Sequence, residues 1–120
     1  MFKQILEEVV SNTPGGVGAV LMGYDGIAIE QYVAEGDDVD LQLVAIEYSN
    51  VVKEIRNNSE ILGTGELQEV TVKTGRYFVV LHAVTDDYFV ALIMTRSGNF
   101  GKGRYLLMRD ASMLREALIY

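Results

Sequence analysis

The segment from Asp38 to Leu62 reads DVDLQLVAIEYSNVVKEIRNNSEIL and predicts a long α-helix with two apolar sides. At about 100° per residue, one broad face gathers Leu41, Val44, Ala45, Tyr48, Val51, Val52 and Ile55. The nearly opposite side carries Val39, Leu43 and Ile46 and continues into Asn50, Glu54 and Asn57. Because a surface helix needs only one apolar face for its own core, the second face predicts a docking surface.

The second apolar face is large enough to matter for stability. Burying a Val, Leu or Ile side chain contributes about 1.5 to 3 kcal/mol, so three of them left in water forgo roughly 5 to 9 kcal/mol. That loss is comparable with the whole free energy of unfolding of a typical domain, about 5 to 15 kcal/mol. We therefore expect either a protein partner or a terminal helix of the same chain to cover this face.

Composition restricts the classes of function that the chain can serve. Its 120 residues and 13.3 kDa predict a single domain over residues 1–120. The formal charge is -7, from 17 acidic and 10 basic residues, which argues against nucleic acid or an anionic membrane surface as partner. The absence of cysteine excludes disulfides and thiolate metal sites, and the one histidine, His82, leaves little basis for histidine catalysis or zinc binding. We expect a protein that is not an enzyme and uses no metal or cofactor.

The apolar runs of the chain are too short to cross a membrane. The longest lie near Tyr77 to Val84 and Tyr88 to Met94, well below the roughly 20 residues that a spanning helix needs. The start, Met1 to Val10, carries Glu7 and Glu8 and repeats its apolar residues at helical spacing, unlike a secretory signal. We expect a cytoplasmic protein that does not insert directly into a membrane.

Helices are also predicted near both ends of the chain. The apolar stripe of the first helix is Phe2, Ile5, Leu6, Val9 and Val10, and that of the last helix is Leu107, Ala111, Leu114 and Leu118. Five strands are predicted over Val17 to Met22, Ile27 to Val33, Leu67 to Thr74, Tyr77 to Val84 and Tyr88 to Thr95. The segment Gly23 to Gly26 joins the first two strands, and its Asp-Gly pair is a strong signal for a tight hairpin turn. Gly63 and Gly65 are expected to end the long helix.

Strand composition predicts the order of the strands in the sheet. The first, fourth and fifth strands are almost entirely apolar and belong in the centre, whereas the second carries Glu30 and Gln31 and the third carries Glu69 and Lys73. With hairpin partners kept adjacent, the order is 2-1-5-4-3, antiparallel throughout. Apolar central strands need cover on both faces, so we expect the long helix on one face and the two terminal helices on the other. The predicted class is α+β, an α/β sandwich.

Two segments have some features of an ion site, but neither has a complete motif. Ser97 to Gly103 precedes the last helix, yet it lacks the serine or threonine after Lys102 that a P-loop uses for magnesium, and a flexible loop is the simpler interpretation. Asp37, Asp38 and Asp40 suggest a cation site, but the central glycine and later glutamate of a calcium loop are missing. Capping of the long helix explains these aspartates adequately.

In the second half of the chain, one histidine and one group of basic residues each allow two interpretations. His82 lies in an apolar strand, where a hydrogen-bonded structural histidine is the ordinary interpretation and a catalytic one has no carboxylate placed to orient it. Arg96, Lys102, Arg104 and Arg109 cluster around the start of the last helix, so one of them could reach a phosphate in another protein as an arginine finger. The alternative is a solvated basic face.

The order of elements resembles that of the roadblock family. Over the whole chain it runs helix, hairpin, long helix, three-stranded meander and helix. The hairpin contains Val20 to Ile29, VLMGYDGIAI, an apolar strand followed by an Asp-Gly turn and a second apolar strand. The family includes dynein-associated light chains, subunits of lysosomal GTPase-regulating scaffolds and the bacterial MglB type. The resemblance implies a single roadblock domain with a roadblock/profilin-like fold.

The resemblance also implies a homodimer in which the long helices pack together and the edge strands from Leu67 to Lys73 pair into one continuous sheet. The implied dimer interface comprises Val39, Leu43, Ile46, Asn50, Leu67, Glu69, Thr71 and Lys73. The implied partner-binding residues are Leu43, Glu47, Asn50 and Glu54. In the bacterial branch such dimers bind a Ras-like small GTPase, and the MglB type accelerates GTP hydrolysis by reshaping the GTPase rather than by donating an arginine.

The sequence and the family resemblance together leave three alternative functions. The first is a bacterial roadblock homodimer that binds and regulates a Ras-like small GTPase, as a GTPase-activating protein or as a scaffold. The second is a purely structural adaptor of a larger motor or signalling assembly, without effect on GTP hydrolysis. The third is a small-ligand sensor of profilin-like architecture, which needs a cavity that the crowded strands do not predict.

Overall fold

The described part of the chain, residues 1–34, 36 and 39–119 of a computed structural model, folds into three helices and five strands. In chain order these are α1 (Phe2–Asn12), β1 (Gly16–Gly23), β2 (Ala28–Val33), α2 (Leu41–Leu62), β3 (Glu69–Lys73), β4 (Tyr77–Ala83), β5 (Tyr88–Thr95) and α3 (Phe100–Ile119). The predicted bounds of α1 and of the strands agree with these to within two residues. Gly63 ends α2 in a left-handed conformation, with φ +67°, as predicted.

The five strands form one antiparallel sheet in the predicted order, β2-β1-β5-β4-β3. Strands β1 and β5 are buried along almost their whole length, and β4 is buried in its middle. The edge strands β2 and β3 are half-buried or exposed, because their charged and amide side chains lie where the sheet meets water. Strand composition therefore separates the centre of the sheet from its edges correctly.

Helices cover the sheet on both faces, in the predicted division. On one face, α1 and α3 bury a core cluster that includes Leu6 and Leu107. On the other face, α2 buries a second cluster that includes Leu41 and Phe89. The two clusters explain why the central strands are apolar on both sides.

The hairpin between β1 and β2 turns at the Asp-Gly pair. The N–H of Gly26 donates to the carbonyl of Gly23 at 2.9 Å, and the N–H of Ile27 donates to Oδ1 of Asp25 at 3.1 Å. Gly26 has φ +88°, a conformation that residues with a side chain rarely adopt. Tyr24 folds inward from the turn and is only 8% exposed, which anchors the hairpin to the α2 side of the sheet.

Helix α2 begins at Leu41, later than the predicted start at Asp38. The backbone of Asp40 is not helical, and its side chain accepts a hydrogen bond from the N–H of Leu43 at 3.1 Å. Asp40 is therefore the N-cap of the helix rather than a member of its first turn. The predicted contribution of Asp37 and Asp38 lies outside the described residues.

Helix α3 begins at Phe100, so the prediction of a loop as far as Gly103 is wrong for its last four residues. Asn99 sets the start of the helix. Its side chain accepts from the N–H of Lys102 at 3.1 Å, and its carbonyl accepts from the N–H of Gly103 at 3.0 Å. Gly103 is buried, and a Cβ at this position would lie 2.9 Å from Sδ of Met94. This glycine allows α3 to approach the sheet closely and is not a sign of loop flexibility.

Candidate interaction surface on α2 and the β3 edge

Helix α2 carries apolar residues on its buried side and on its exposed side. Its fully buried residues are Leu41, Ala45, Ser49 and Val52, and the apolar ones belong to the core cluster on that face of the sheet. Val51, which the sequence pattern assigns to the core face, is 47% exposed. That assignment is wrong because Val51 lies about 100° around the helix from Val52, at the margin of the buried face.

The exposed side of α2 carries the second apolar face that the sequence predicts. Leu43 is 54% exposed and Ile46 is 38% exposed. The assignment of Val39 to this face is wrong, because Val39 lies just before the helix and is half-buried against the chain's own core cluster. Helices α1 and α3 pack on the opposite face of the sheet, so in the described part of the chain no terminal helix covers this side. The alternative in which the chain covers its own second face is therefore wrong.

Polar residues occupy the middle of the exposed side of α2. Glu47, Asn50 and Glu54 are all exposed and follow Leu43 at helical spacing. The structure thus places all four predicted partner-binding residues on one stripe, which we call the α2 stripe. A partner that binds along the α2 stripe contacts the apolar side chain of Leu43 at one end and the carboxylates of Glu47 and Glu54 further along the helix.

The α2 stripe also has an apolar far end that the sequence analysis missed. Ile61 and Leu62 are 74% and 73% exposed. Ile61 lies about five helical turns after Leu43, so the same periodicity that identifies Leu43 also places Ile61 on the stripe. The stripe is therefore apolar at both ends and polar between them.

The sheet beside α2 is incompletely covered. Helix α2 packs mainly across β1. Towards the β3 edge, Val70, Val72 and Tyr77 point to the same face as α2 and are only half-buried. We call these three residues the half-covered strip, and a second helix laid beside α2 would bury it.

Strand β3 forms one edge of the sheet and holds the other predicted interface residues. Glu69, Thr71 and Lys73 pair with β4 and lie on the face that α1 and α3 cover. Oε2 of Glu69 lies 2.8 Å from Nε and 2.6 Å from Nη2 of Arg104. Leu67 precedes the strand and is half-buried on the α2 face. The predicted dimer residues therefore fall into two groups, one at the start and along α2 and one along the β3 edge.

The described residues contain no group of three or more side chains that could hold a metal ion, and none of their helices is long and apolar enough to cross a bilayer. His82 is half-buried, with Nδ1 2.9 Å from the carbonyl oxygen of Ala83, as expected for a structural histidine. Arg104 and Arg109 each pair with a carboxylate of this chain, and the pairing raises the pKa of both guanidinium groups. These two arginines are engaged within the chain, so neither supports the arginine-finger interpretation.

An open cleft of about 990 Å³ lies at the end of the sheet where α2 and α3 finish. Tyr24, Arg56, His82 and Arg115 are among its lining residues. Nη1 of Arg56 donates to the carbonyl of Asp86 at 2.6 Å, and the guanidinium lies 4.8 Å from the centre of the Tyr24 ring. Burial raises the pKa of Tyr24, while Arg56 acts to lower it. This cleft is not predictable from the sequence, because its walls come from segments far apart in the chain.

The chain is similar to several solved structures. MglC from Myxococcus xanthus is 36% identical, with 95% of this chain and 96% of that chain covered and a TM-score of 0.69. A Roadblock/LC7 domain from Streptomyces avermitilis has a TM-score of 0.86 at 17% identity, with 98% of both chains covered. The gliding protein MglB from Thermus thermophilus has a TM-score of 0.84 at 18% identity, with 94% of this chain and 84% of that chain covered. The last two likenesses concern the fold alone. A scan of protein-family models gives no match, and neither does a search of curated proteins.

Proposed function

The chain belongs to the Roadblock/LC7 family, and on that premise we propose that it forms a homodimer that binds and regulates a Ras-like small GTPase. The observation that carries this proposal is the α2 stripe, with exposed apolar residues at both ends, beside the half-covered strip on the same face of the sheet. In this proposal the chain is not an enzyme, and any hydrolysis takes place on the GTPase.

Symmetry favours a second copy of the chain as the molecule that covers the strip. A two-fold axis perpendicular to the sheet, midway between the Thr71 residues of two copies, pairs the β3 strands antiparallel and joins the sheets. In that register Glu69 of one copy lies directly opposite Lys73 of the other, on the same face of the joined sheet. The β3 edges of the two copies are therefore complementary in charge.

In the proposed dimer the two α2 helices also pack together and run antiparallel. Leu43 at the start of one α2 stripe then approaches Ile61 near the end of the other, so two exposed apolar groups cover each other. Each helix also comes to lie over the half-covered strip of the other copy. A continuous surface of two stripes, with Glu47 and Glu54 of each copy along it, is the place proposed for the GTPase.

The dimer is tested by its mass in solution. Leu43→Glu introduces an unpaired charge into the seam, and we expect monomers or aggregates by light scattering. Met113→Glu on α3 is the matched control, because Met113 is 51% exposed against 54% for Leu43 and lies on the other face of the sheet. Glu54→Lys should also leave the mass unchanged. An unaltered dimer from Leu43→Glu would refute the proposed seam.

Regulation is tested by single-turnover GTP hydrolysis with a Ras-like small GTPase that binds this chain. We expect saturating dimer to accelerate hydrolysis at least about tenfold, and Leu43→Glu to abolish the acceleration because the site spans two copies. A reversal of charge at both Glu47 and Glu54 should weaken GTPase binding while leaving the dimer intact. Unchanged turnover in a saturated complex would remove the activating role.

The second candidate function is a structural adaptor without effect on GTP hydrolysis. The observation that favours it is the distribution of sequence identity, 36% to MglC against 18% to MglB. The likeness to MglB is confined to the fold, so an activating role is not carried over by sequence. An adaptor predicts a stable complex with its partner at an unaltered rate of GTP turnover.

A further inference from the structure

Charge is distributed unevenly along the chain. All 17 acidic residues lie outside two segments, residues 70–85 and 88–109. These two acid-free segments contain Lys73, Arg76, Arg96, Lys102, Arg104 and Arg109. A chain with a net charge of -7 therefore has two segments that carry only positive charges, although Glu69 from outside them pairs with Arg104.

The fold gathers four of these cations at one end of the sheet. The turn between β3 and β4 lies beside the end of β5, because Tyr77 pairs with Thr95, and α3 begins a few residues later. Arg76, Arg96, Lys102 and Arg104 are all exposed at this end, and we call them the basic surface.

Two phenylalanines hold two of the three arginines of the basic surface in position. The ring centres of Phe78 and Phe100 are 4.7 Å apart. The guanidinium of Arg96 lies 4.9 Å from the centre of the Phe78 ring, and that of Arg104 lies 5.7 Å from the centre of the Phe100 ring. Arg96 also donates to the carbonyl of Thr74. Side chains fixed in this way lose little conformational freedom when they bind, and stacked guanidinium groups keep N–H donors at their edges.

The start of α3 strengthens the positive potential of the basic surface. Helix α3 has no acidic residue in its first turn. Lys102 and Arg104 lie in its first five residues, where the helix dipole disfavours positive charge. Arg104 is stabilised here by its ion pair with Glu69. Lys102 forms no ion pair within the described residues, and a bound anion would offset the cost of its position.

We propose that the basic surface binds a short acidic segment of a partner protein. Aspartate and glutamate carboxylates match the paired N–H donors of fixed guanidinium groups. A long polyanion, such as nucleic acid, or an anionic membrane would extend beyond the four cations onto a protein that is otherwise strongly acidic, and would be repelled there. The proposal does not rest on the homodimer or on the GTPase, because none of the four residues lies on the α2 stripe or in β3. The two surfaces touch at one point, where Arg104 pairs with Glu69 of β3.

The test uses fluorescein-labelled hexaglutamate as the acidic probe, with binding followed by fluorescence anisotropy at low salt. We expect saturable binding that weakens as salt is added. The double variant Arg96→Glu, Lys102→Glu should weaken binding at least about tenfold. Arg96→Lys keeps the positive charge but removes the planar guanidinium that stacks on Phe78, and it should weaken binding about threefold.

Lys3→Glu is the matched control for Lys102→Glu, because Lys3 is also exposed and the change in net charge is the same. We expect Lys102→Glu to weaken probe binding severalfold and Lys3→Glu to leave it within about twofold. Equal weakening by both variants would overturn the proposal, because net charge alone would then explain binding. Absence of saturable binding would overturn it too, as would tighter binding of a thymidine dodecanucleotide or of phosphatidylserine vesicles.

Discussion

The two faces of the sheet differ in how completely the chain covers them. On the face of α1 and α3, Leu107 and Leu114 are 1% and 0% exposed, and the core cluster is closed. On the face of α2, a single helix packs mainly across β1, and Leu43 remains 54% exposed while Val72 is half-buried. The chain covers one face completely and leaves the other partly open. This difference alone indicates an interaction surface on the α2 side.

The largest expected effect concerns the closed face. Leu114→Ala should lower the free energy of unfolding by about 2 to 5 kcal/mol, because it leaves a cavity among fully buried side chains. Urea denaturation at several protein concentrations measures it, and the loss should be the same at each. Met113→Ala changes the exposed neighbour and should stay within about 0.5 kcal/mol of the wild type. A loss that grows on dilution would mean that the α1 and α3 face also takes part in association.

An intermediate effect is expected at the edge of the open face. Glu69→Lys should raise the dissociation constant of the homodimer about tenfold, because two symmetric contacts then bring like charges together. Adding Lys73→Glu reverses both charges and should restore association, as measured by sedimentation equilibrium. Arg104→Gln is the control, since it removes only the ion pair with Glu69 inside the chain. Failure of the double variant to recover would show that Glu69 and Lys73 do not face each other across two copies.

Much of the fold is predictable from sequence because its signals are local. Glu30 and Lys73 mark edge strands, and the Asp-Gly pair at Gly26 marks a hairpin, so strand order follows from composition and connectivity. The start of α3 is not predictable in this way. Gly103 suggests a loop, yet it is required where α3 approaches Met94, a contact between distant parts of the chain.

The candidate site is predictable in part for the same reason. Leu43 and Ile46 follow from helical periodicity, whereas Val51 lies at the margin of the core face, where a rotation of a few tens of degrees changes burial. The sequence already groups Arg96, Lys102 and Arg104 around the start of α3. Arg76 joins the basic surface only in the fold, because strand pairing brings the turn between β3 and β4 beside the end of β5. The sequence alone shows which cations are close together along the chain, but not which are close together in space.

The smallest expected effect is a pH dependence at the end of the open face. Burial raises the pKa of Tyr24 from its ordinary value of 10.0, so the folded state holds the neutral phenol more firmly than the unfolded chain does. The resulting stability is complete below about pH 10 and is lost as pH rises through the raised pKa. Tyr24→Phe should therefore reduce the loss of stability between about pH 9 and pH 11 in urea titrations. Tyr105→Phe at an exposed position should follow the wild type, and identical behaviour of both variants would contradict the assignment to Tyr24.

The mass of the wild-type chain across a dilution series tests the central claim, that a second copy completes the open face. Sedimentation equilibrium should give twice the 13.3 kDa of one chain at micromolar concentrations and above, with dissociation only on dilution. A mass of 13.3 kDa at every concentration, from well-folded molecules whose α2 stripe stays in contact with water, would contradict it.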